Sequence, residues 1–250
     1  MGKKYENAPV VEALCEIFFD GSKWDSTLPG LFFERIKDVY PKKKELEQSG
    51  VEVSVSKDTQ DVKVLRGNQR IQFIKDDGSQ LVQIEKDLLV INQLRPYPRF
   101  VEWKPAIDKM IKLYRELAKP NFIKRVGIRY INRIEIPSNK FKMEDYFYLY
   151  PEVPVRLGAM HGKFMMRLEI PPKNREGHQL VVTFGTAPVN PSPTSLWMFD
   201  LMFDLYDIFT LPPDMSLEQF DRYVLEAHDN IETAFEESIT DKMKELFKEV

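Results

Sequence analysis

The sequence has little cysteine, little excess charge and no long apolar run. Cys15 is the single cysteine, which excludes an internal disulfide and a zinc site built from several cysteines. No stretch approaches the ~18 consecutive apolar residues that a membrane span requires. The longest candidate, Leu196 to Phe209, is interrupted by three aspartates. The first residues contain two lysines but no apolar run behind them, so they do not predict a signal peptide. These absences together predict a cytoplasmic protein.

The charges nearly cancel over the whole chain but are unevenly placed along it. The formal net charge is -3 for 250 residues, which excludes a protein that coats nucleic acid by bulk charge. From Lys104 to Arg133 the sequence contains nine Lys and Arg residues but only two acidic ones. From Asp200 onward it contains four Lys and Arg residues and fourteen acidic ones. The hydrophobic share of 43% and the aromatic share of 12% predict a globular chain with a sizeable core.

Hydrophobic periodicity predicts the elements of the first half. Apolar residues alternate in the predicted strands and recur at helical spacing in the predicted helices. In chain order the prediction is a strand over 10–20, a short helix over 31–40, strands over 51–56, 62–74 and 81–93, and a helix over 104–118.

The second half repeats the same order of elements. The prediction is a strand over 122–136, a short helix over 143–149, strands over 161–170, 178–185 and 196–209, and a long helix that opens at Ser216. The apolar stripe of that last helix includes His228.

The repeated order predicts an α+β fold made of two tandem βαβββα repeats. We expect residues 1–120 and 121–250 to form one compact unit, with a pseudo-symmetric antiparallel sheet and the long helices on one of its faces. This topology resembles the saddle of TATA-binding protein. A shared topology does not transfer function.

Three arginines lie at four-residue intervals in the strand over 122–136, namely Arg125, Arg129 and Arg133. Since side chains alternate along a strand, all three lie on one face and could grip phosphate groups. The first strand of the chain carries acidic residues at the same spacing, Glu12, Glu16 and Asp20. If the two strands are neighbours, the alternative is a structural ladder of ion pairs across the sheet. Both readings stay open here.

The segment between the last strand and the long helix of the first half combines arginine and aromatic residues. Its candidate binding residues are Arg95, Tyr97, Arg99 and Trp103. This composition is typical of protein interfaces and also suits stacking on nucleic-acid bases. The alternative is a loop packed back on the sheet, with Trp103 fixing the start of the helix.

The catalytic signals are weak. His228 and Asp204 are the candidates, although a histidine on an apolar stripe is more often packed than reactive. No phosphate-binding loop, metal-ligand spacing or nucleophile motif occurs, so the sequence predicts no metal and no cofactor. Cys15 lies among apolar residues and is expected to be a buried, inert thiol.

Three segments resemble a sporadically distributed family of uncharacterised prokaryotic proteins of about this length. They are the NAPVVEA sequence over 7–13, the GIRYINR sequence over 127–133, and the aspartate-rich strand from Asp200 to Asp204 followed by Ala227-His228. The resemblance covers essentially the whole chain and implies no established activity, so it assigns no catalytic residue. The scattered distribution of the family suggests a mobile, defence or toxin–antitoxin-like module.

Three functions remain as hypotheses, and none predicts an oligomeric state. The first is a non-enzymatic binding protein that engages a macromolecule, foremost a protein. The second is a nucleic-acid-binding protein that uses the open face of the sheet and the three arginines. The third is an enzyme acting on a small or nucleotide substrate, in which His228, Asp204 and Arg129 would converge in one cleft.

Overall fold

The computed structural model describes residues 5–55, 60–136, 142–158, 163–171, 177–187, 199–210 and 217–249. These residues form an α+β fold, as the sequence predicts. No helix in this part of the chain has both the length and the apolar character needed to cross a membrane.

The first half contributes five strands and two helices to the described fold. They are β1 (Val10–Asp20), α1 (Leu28–Ile36), β2 (Lys42–Val55), β3 (Gln60–Ile74), β4 (Gln80–Glu85), β5 (Leu88–Leu94) and α2 (Phe100–Ala118). The helix α2 begins one turn earlier than predicted because Phe100 and Trp103 are both buried and extend its apolar stripe.

The second half contributes four strands and three helices. They are β6 (Phe122–Ile136), α3 (Met143–Tyr146), β7 (Met165–Ile170), β8 (His178–Thr186), β9 (Phe199–Thr210), α4 (Leu217–Ser238) and α5 (Asp241–Phe247). A single turn of 3₁₀ helix covers Val155–Leu157. The sequence did not predict α5, which Thr240 caps by accepting a hydrogen bond from the backbone of Met243 at 3.4 Å.

All nine described strands belong to one sheet, in the order β2-β3-β4-β5-β1-β6-β9-β8-β7. Each neighbouring pair is antiparallel. The two strands that open the halves, β1 and β6, lie side by side at the middle of this order.

The prediction of one strand over 81–93 was wrong, because that segment forms β4 and β5. The chain turns at Lys86 and Asp87, and Asp87 adopts a positive φ of 62°. The carboxylate of Asp87 accepts a hydrogen bond from the backbone N–H of Ser22 at 2.8 Å, which supports this turn from outside. The first half therefore has four strands after α1, not three.

The helices lie on one face of the sheet. Side chains from all five helices share a core with alternate residues of the strands, such as Ala13, Cys15 and Ile17 of β1. On the opposite face Leu14, Leu88 and Val90 form a separate small cluster, against which Phe18 packs. We call this second face the open face. The alternation of β1 and β6 thus places the acidic row of β1 and the arginine row of β6 on the open face, whereas the intervening residues point into the core.

Candidate functional site

The loop that joins β5 to α2 is tied to the start of β1. Nε of Arg95 donates a hydrogen bond to the carbonyl oxygen of Val10 at 3.2 Å, and its Nη2 donates to that of Pro9 at 3.4 Å. The ring of Tyr97 then meets the ring of Tyr130 edge-on, with centroids 5.4 Å apart. The loop therefore packs back on the sheet.

Four side chains from this loop, β6 and α4 are joined by consecutive hydrogen bonds. The hydroxyls of Tyr97 and Tyr130 lie 2.7 Å apart, and the hydroxyl of Tyr130 lies 3.0 Å from Nδ1 of His228. Nε2 of His228 lies 3.2 Å from a carboxylate oxygen of Glu232. We call this arrangement the Tyr–Tyr–His–Glu chain.

Glu232, at one end of the Tyr–Tyr–His–Glu chain, determines which atom donates in each of its hydrogen bonds. A carboxylate only accepts, so Nε2 of His228 carries the hydrogen that Glu232 receives. In the neutral imidazole Nδ1 then accepts from the Tyr130 hydroxyl, which in turn accepts from Tyr97. The hydrogen bond from His228 lowers the pKa of Glu232, against burial, which raises it. Burial raises the pKa of both tyrosines well above their usual value, so both hydroxyls keep their protons at neutral pH.

His228 is enclosed as well as hydrogen-bonded. Its ring stacks on that of Phe100 with centroids 4.0 Å apart and an angle of 13° between the planes. Its side chain is only 12% exposed. With both nitrogens engaged and one ring face covered, His228 holds α4 against α2 and β6.

A cation could use part of the same helix turn. His228, Asp229 and Glu232 each offer one ligand atom, and these atoms lie within 4.8 Å of one another. Imidazole and carboxylate are ligands that Zn²⁺ accepts. The hydrogen bond between His228 and Glu232 accounts for the approach of these two side chains without a metal, and the absence of a metal stays a prediction.

Among the predicted binding residues of the loop, the two aromatic ones face inward. Trp103 is fully buried, with its ring edge-on to those of Tyr97 and Phe100 at 6.5 and 6.0 Å. The two arginines lie at the surface, where Nε of Arg99 is 3.0 Å from the carboxylate of Glu102. The aromatic side chains are therefore part of the packing of α2 and do not offer stacking surfaces.

The first turns of α2 and of α4 meet at the surface near His228. Nζ of Lys104 lies 3.0 Å from the carboxylate of Asp221 and 2.6 Å from that of Asp108. Burial lowers the pKa of Lys104, but its hydrogen bonds to the two carboxylates outweigh this, and the pKa is raised. Lys104 therefore stays charged and clamps the two helices together.

Two exposed apolar side chains flank this clamp. Val101 lies three residues before Lys104 on α2 and is 63% exposed, and Leu225 lies four residues after Asp221 on α4 and is 47% exposed. Since residues three and four apart share a face of a helix, both side chains border the Lys104–Asp221 pair. We call these four residues the helix seam. Charged pairs surround it, namely Arg99 with Glu102 and Arg222 with Glu226.

The predicted arginine row lies on the open face, interleaved with the acidic row. In the register of β1 with β6, Glu16 is opposite Gly127, between Arg125 and Arg129. Glu12 is opposite Ile131 and thus lies between Arg129 and Arg133. The two strands are neighbours, as the ladder hypothesis requires, but acids and arginines are diagonal and not directly opposite. The face consequently alternates in charge along the β1–β6 boundary.

The arginines rest on neighbouring side chains. The guanidinium of Arg125 lies over the ring of Phe18 at 4.1 Å, and that of Arg129 lies 5.8 Å from the ring centroid of Tyr206. Nε of Arg133 is 3.9 Å from the carboxylate of Glu135 on the same strand. These contacts hold the guanidinium groups against the sheet, so the groups do not extend freely into solvent.

The acidic residues accept hydrogen bonds from polar residues of other strands. Glu16 accepts from the hydroxyl of Tyr206 at 2.7 Å, and Glu12 accepts from the amide of Asn92 at 2.6 Å. A further series continues from Asn92 across the sheet, because Gln72 donates to Gln83 at 3.1 Å and Gln83 donates to Asn92 at 2.9 Å. Asp20 has a longer contact of 3.5 Å with the amide of Asn121. Side-chain hydrogen bonds on the open face thus reach from β3 to β9, beside the small apolar cluster of the same face.

The convergence expected for an enzyme does not occur for Arg129 and His228. Arg129 approaches Tyr206 on the open face, whereas His228 contacts Tyr130 and Phe100 on the helix-covered face. Asp204 pairs in register with Ile131 and Thr183, and its side chain lies outside the described part of the structure.

Sequence reasoning missed Tyr130, Glu232, Val101 and Leu225. Glu232 carries a detectable signal, because it follows His228 by four residues and so shares its face of the helix. Tyr130 carries no such signal, because its partners come from a loop and a helix that are distant in the chain.

Comparison with known proteins adds no functional assignment. The chain matches no protein-family model, and no curated protein matches it significantly.

Proposed function

We propose that this chain is a non-enzymatic binding protein that engages a protein partner through the helix seam. The observation that carries the proposal is the exposure of Val101 and Leu225 on either side of the Lys104–Asp221 pair. The resemblance to a sporadically distributed prokaryotic family suggests a defence or toxin–antitoxin-like module as the setting. We propose the cytoplasm as the compartment, and the single buried cysteine is compatible with a reducing environment.

The chemistry of the helix seam favours a protein partner. It combines two exposed apolar side chains with an ion pair between them and with charges of both signs around it, a mixture that is common in protein interfaces. The Tyr–Tyr–His–Glu chain and the stacked Phe100 hold the two helices from below. A partner would thus meet a surface already fixed in shape, so that less conformational entropy is lost on binding.

The other two functions have weaker support. Nucleic-acid binding by the open face would need positive charge, but Glu12 and Glu16 alternate with the arginines there. Catalysis by His228 would need a free nitrogen, but both nitrogens have partners within the protein. These contacts support a binding role over either alternative.

We also propose that the sheet consists of two repeats related by a pseudo-dyad between β1 and β6. Read outward from this boundary, the order is β1, β5, β4, β3 on one side and β6, β9, β8, β7 on the other. On this reading β2 is an addition at one end, and α2 corresponds to α4. The helix seam would then join equivalent helices of the two halves.

Site-specific photocrosslinking in extracts of the native host tests the proposed function. A photoreactive residue replaces Val101 or Leu225 in turn, and the matched controls place it at Leu31 or Val39 near α1, which are similarly exposed. We expect the same partner to be captured from both seam positions and from neither control. The purified partner should then lose its binding to the Leu225→Arg variant and keep it with Leu31→Arg. Equal capture at the control positions, or undiminished binding by Leu225→Arg, would contradict the proposal.

A further inference from the structure

The two ends of the sheet differ in how they are protected. At one end β2 begins with three consecutive lysines, Lys42 to Lys44, a feature that discourages pairing with another strand. At the other end β7, with the sequence MMRLEI, has β8 as its partner among the described strands. Met165 on β7 is 82% exposed. Among the described residues, the end formed by β7 therefore carries much weaker protection against a further strand.

The backbone of β7 offers groups for such pairing. The N–H of Thr186 donates to the carbonyl oxygen of Phe164 at 3.1 Å, which fixes the alternation of the β7–β8 ladder. Because antiparallel partners exchange hydrogen bonds at every second residue, Met166, Leu168 and Ile170 direct their backbone groups toward β8. Met165, Arg167 and Glu169 direct theirs to the outer edge.

The charges of β7 are arranged symmetrically around Leu168. Arg167 precedes this residue and Glu169 follows it, and both side chains are about half exposed. Their charged groups lie 2.9 Å apart along the strand, and Glu169 also accepts from the amide of Gln179. A strand with opposite charges on either side of its centre is complementary to its own reversed copy.

We propose that two copies of this chain pair β7 with β7 in antiparallel fashion, about a two-fold axis at Leu168. Arg167 of each copy is then directly opposite Glu169 of the other, and each such pair exchanges two backbone hydrogen bonds because both residues present outward groups. Leu168 meets its own copy, and Met166 meets Ile170, on the helix-covered face. The sheet becomes continuous across the dimer.

Other registers lose this complementarity. A two-fold axis at Arg167 would place like charges opposite each other, which is destabilising. An axis at Met166 leaves Arg167 opposite Met165 and without an acidic partner, and its one kind of opposite-charge pair, Glu169 with Lys163, lies beyond the start of β7. A six-residue strand pair is a small interface, so we expect a dissociation constant on the order of micromolar.

The association state of the purified full chain tests the proposal without any other partner. Sedimentation over a concentration series should show reversible dimers for the natural sequence. Arg167→Glu or Glu169→Arg alone places like charges opposite each other twice, so each should weaken the dimer about tenfold or more. The double variant that exchanges the two residues restores the complementarity and should restore the dimer. Arg35→Glu, a reversal at another exposed ion pair, is the matched control and should leave it unchanged.

Cysteine crosslinking tests the register. At a pair that lacks mutual hydrogen bonds the Cα atoms lie about 4.5 Å apart, within the range of a disulfide. Leu168→Cys should therefore crosslink to its own copy under mild oxidation. Met165→Cys is more exposed, yet its two copies would be about 20 Å apart and should not crosslink. A monomer at every concentration, faster crosslinking of Met165→Cys or Met166→Cys than of Leu168→Cys, or no recovery in the exchanged variant would overturn the proposal. None of these outcomes depends on whether the helix seam binds a partner.

Discussion

The hydroxyl of Tyr130 lies 3.0 Å from Nδ1 of His228 and 2.7 Å from the hydroxyl of Tyr97, so one oxygen atom connects β6 with α4 and with the loop before α2. Tyr130 is buried, and the two residues that its hydroxyl contacts are partly buried. Removal of this hydroxyl affects three elements together, which makes it a sensitive probe of how the two halves are joined.

Tyr130→Phe removes that hydroxyl, so the hydroxyl of Tyr97 and Nδ1 of His228 each lose this hydrogen bond, while Nε2 of His228 keeps Glu232. Unpaired buried polar groups are costly, so we expect the free energy of unfolding to fall by about 1–3 kcal/mol. Urea denaturation followed by fluorescence measures the loss. Tyr148→Phe is the matched control, because Tyr148 is 67% exposed and its substitution should change stability by less than ~0.5 kcal/mol. Equal losses for the two variants would show that the Tyr–Tyr–His–Glu chain does not stabilise the fold.

The lowered pKa of Glu232 predicts an acid-sensitive contribution to stability. Hydrogen bonding from His228 makes the folded protein hold this carboxylate without a proton at pH values where the unfolded chain begins to bind one. The contribution is therefore complete above the ordinary glutamate pKa of about 4.3, and is lost as the pH falls through the lower value of the folded state.

Glu232→Gln should remove this pH dependence. The stability difference between the natural chain and the variant is expected to shrink progressively below about pH 4.3, when unfolding is measured in urea at a series of pH values. Glu237→Gln alters an exposed residue of the same helix and serves as the control. A difference between Glu232→Gln and the natural chain that stays constant with pH would contradict the assigned role of the His228–Glu232 hydrogen bond.

The sequence predicted long elements better than the turns that depend on distant support. The bounds of β6 agree with the prediction, because its buried and charged residues alternate over fifteen positions. The turn between β4 and β5 was missed since only Lys86 and Asp87 separate the two strands, and neither glycine nor proline marks the turn. Asp87 adopts a positive φ in this turn, and its carboxylate accepts a hydrogen bond from the backbone N–H of Ser22, a residue far away in the chain.

The candidate site was predictable where it depends on one element only. Because side chains alternate along a strand, the three arginines lie on one face of β6, as the sequence indicates. The apolar stripe of α4 contains His228, as the sequence also indicates. The partners of these residues depend on register and packing. The diagonal position of Glu16 relative to Arg129, and the approach of Tyr130 to His228, both follow from the pairing of distant segments.

Gly127 is required by the close approach of Tyr206 to the backbone of β6. A Cβ atom at this position would lie 2.6 Å from the hydroxyl oxygen of Tyr206, which also donates to Glu16. Gly127→Ala should displace the ring and cost about 1–3 kcal/mol of stability. In a Tyr206→Ala background the same substitution should cost much less, since the space is then free. A double-mutant cycle in urea measures this coupling, and additive losses would contradict the contact.

Cys15 should be unreactive in the folded protein. It is fully buried in the core, and burial raises the pKa of its thiol, so little thiolate is present at mildly alkaline pH. A thiol reagent such as DTNB at pH 8 should react only as fast as the chain unfolds, and at once in denaturant. The exposed Met165→Cys variant provides the control for an accessible thiol. Rapid labelling of Cys15 in the native chain would show that β1 opens locally.

The interleaving of acids and arginines on the open face makes a prediction about anion binding. Glu12 and Glu16 lie between the arginines of β6 and offset their charge, so we expect the natural chain to bind single-stranded nucleic acid weakly. Replacing both by glutamine keeps acceptors for Asn92 and Tyr206 but removes two negative charges. The double variant should therefore gain an affinity that falls steeply as salt rises, as phosphate contacts require. Fluorescence anisotropy at several salt concentrations measures it, with Glu34→Gln plus Glu116→Gln on the helices as the control of equal charge. Tight, salt-sensitive binding by the natural chain would instead favour nucleic-acid recognition by the open face, because it would show that the acids do not neutralise the row.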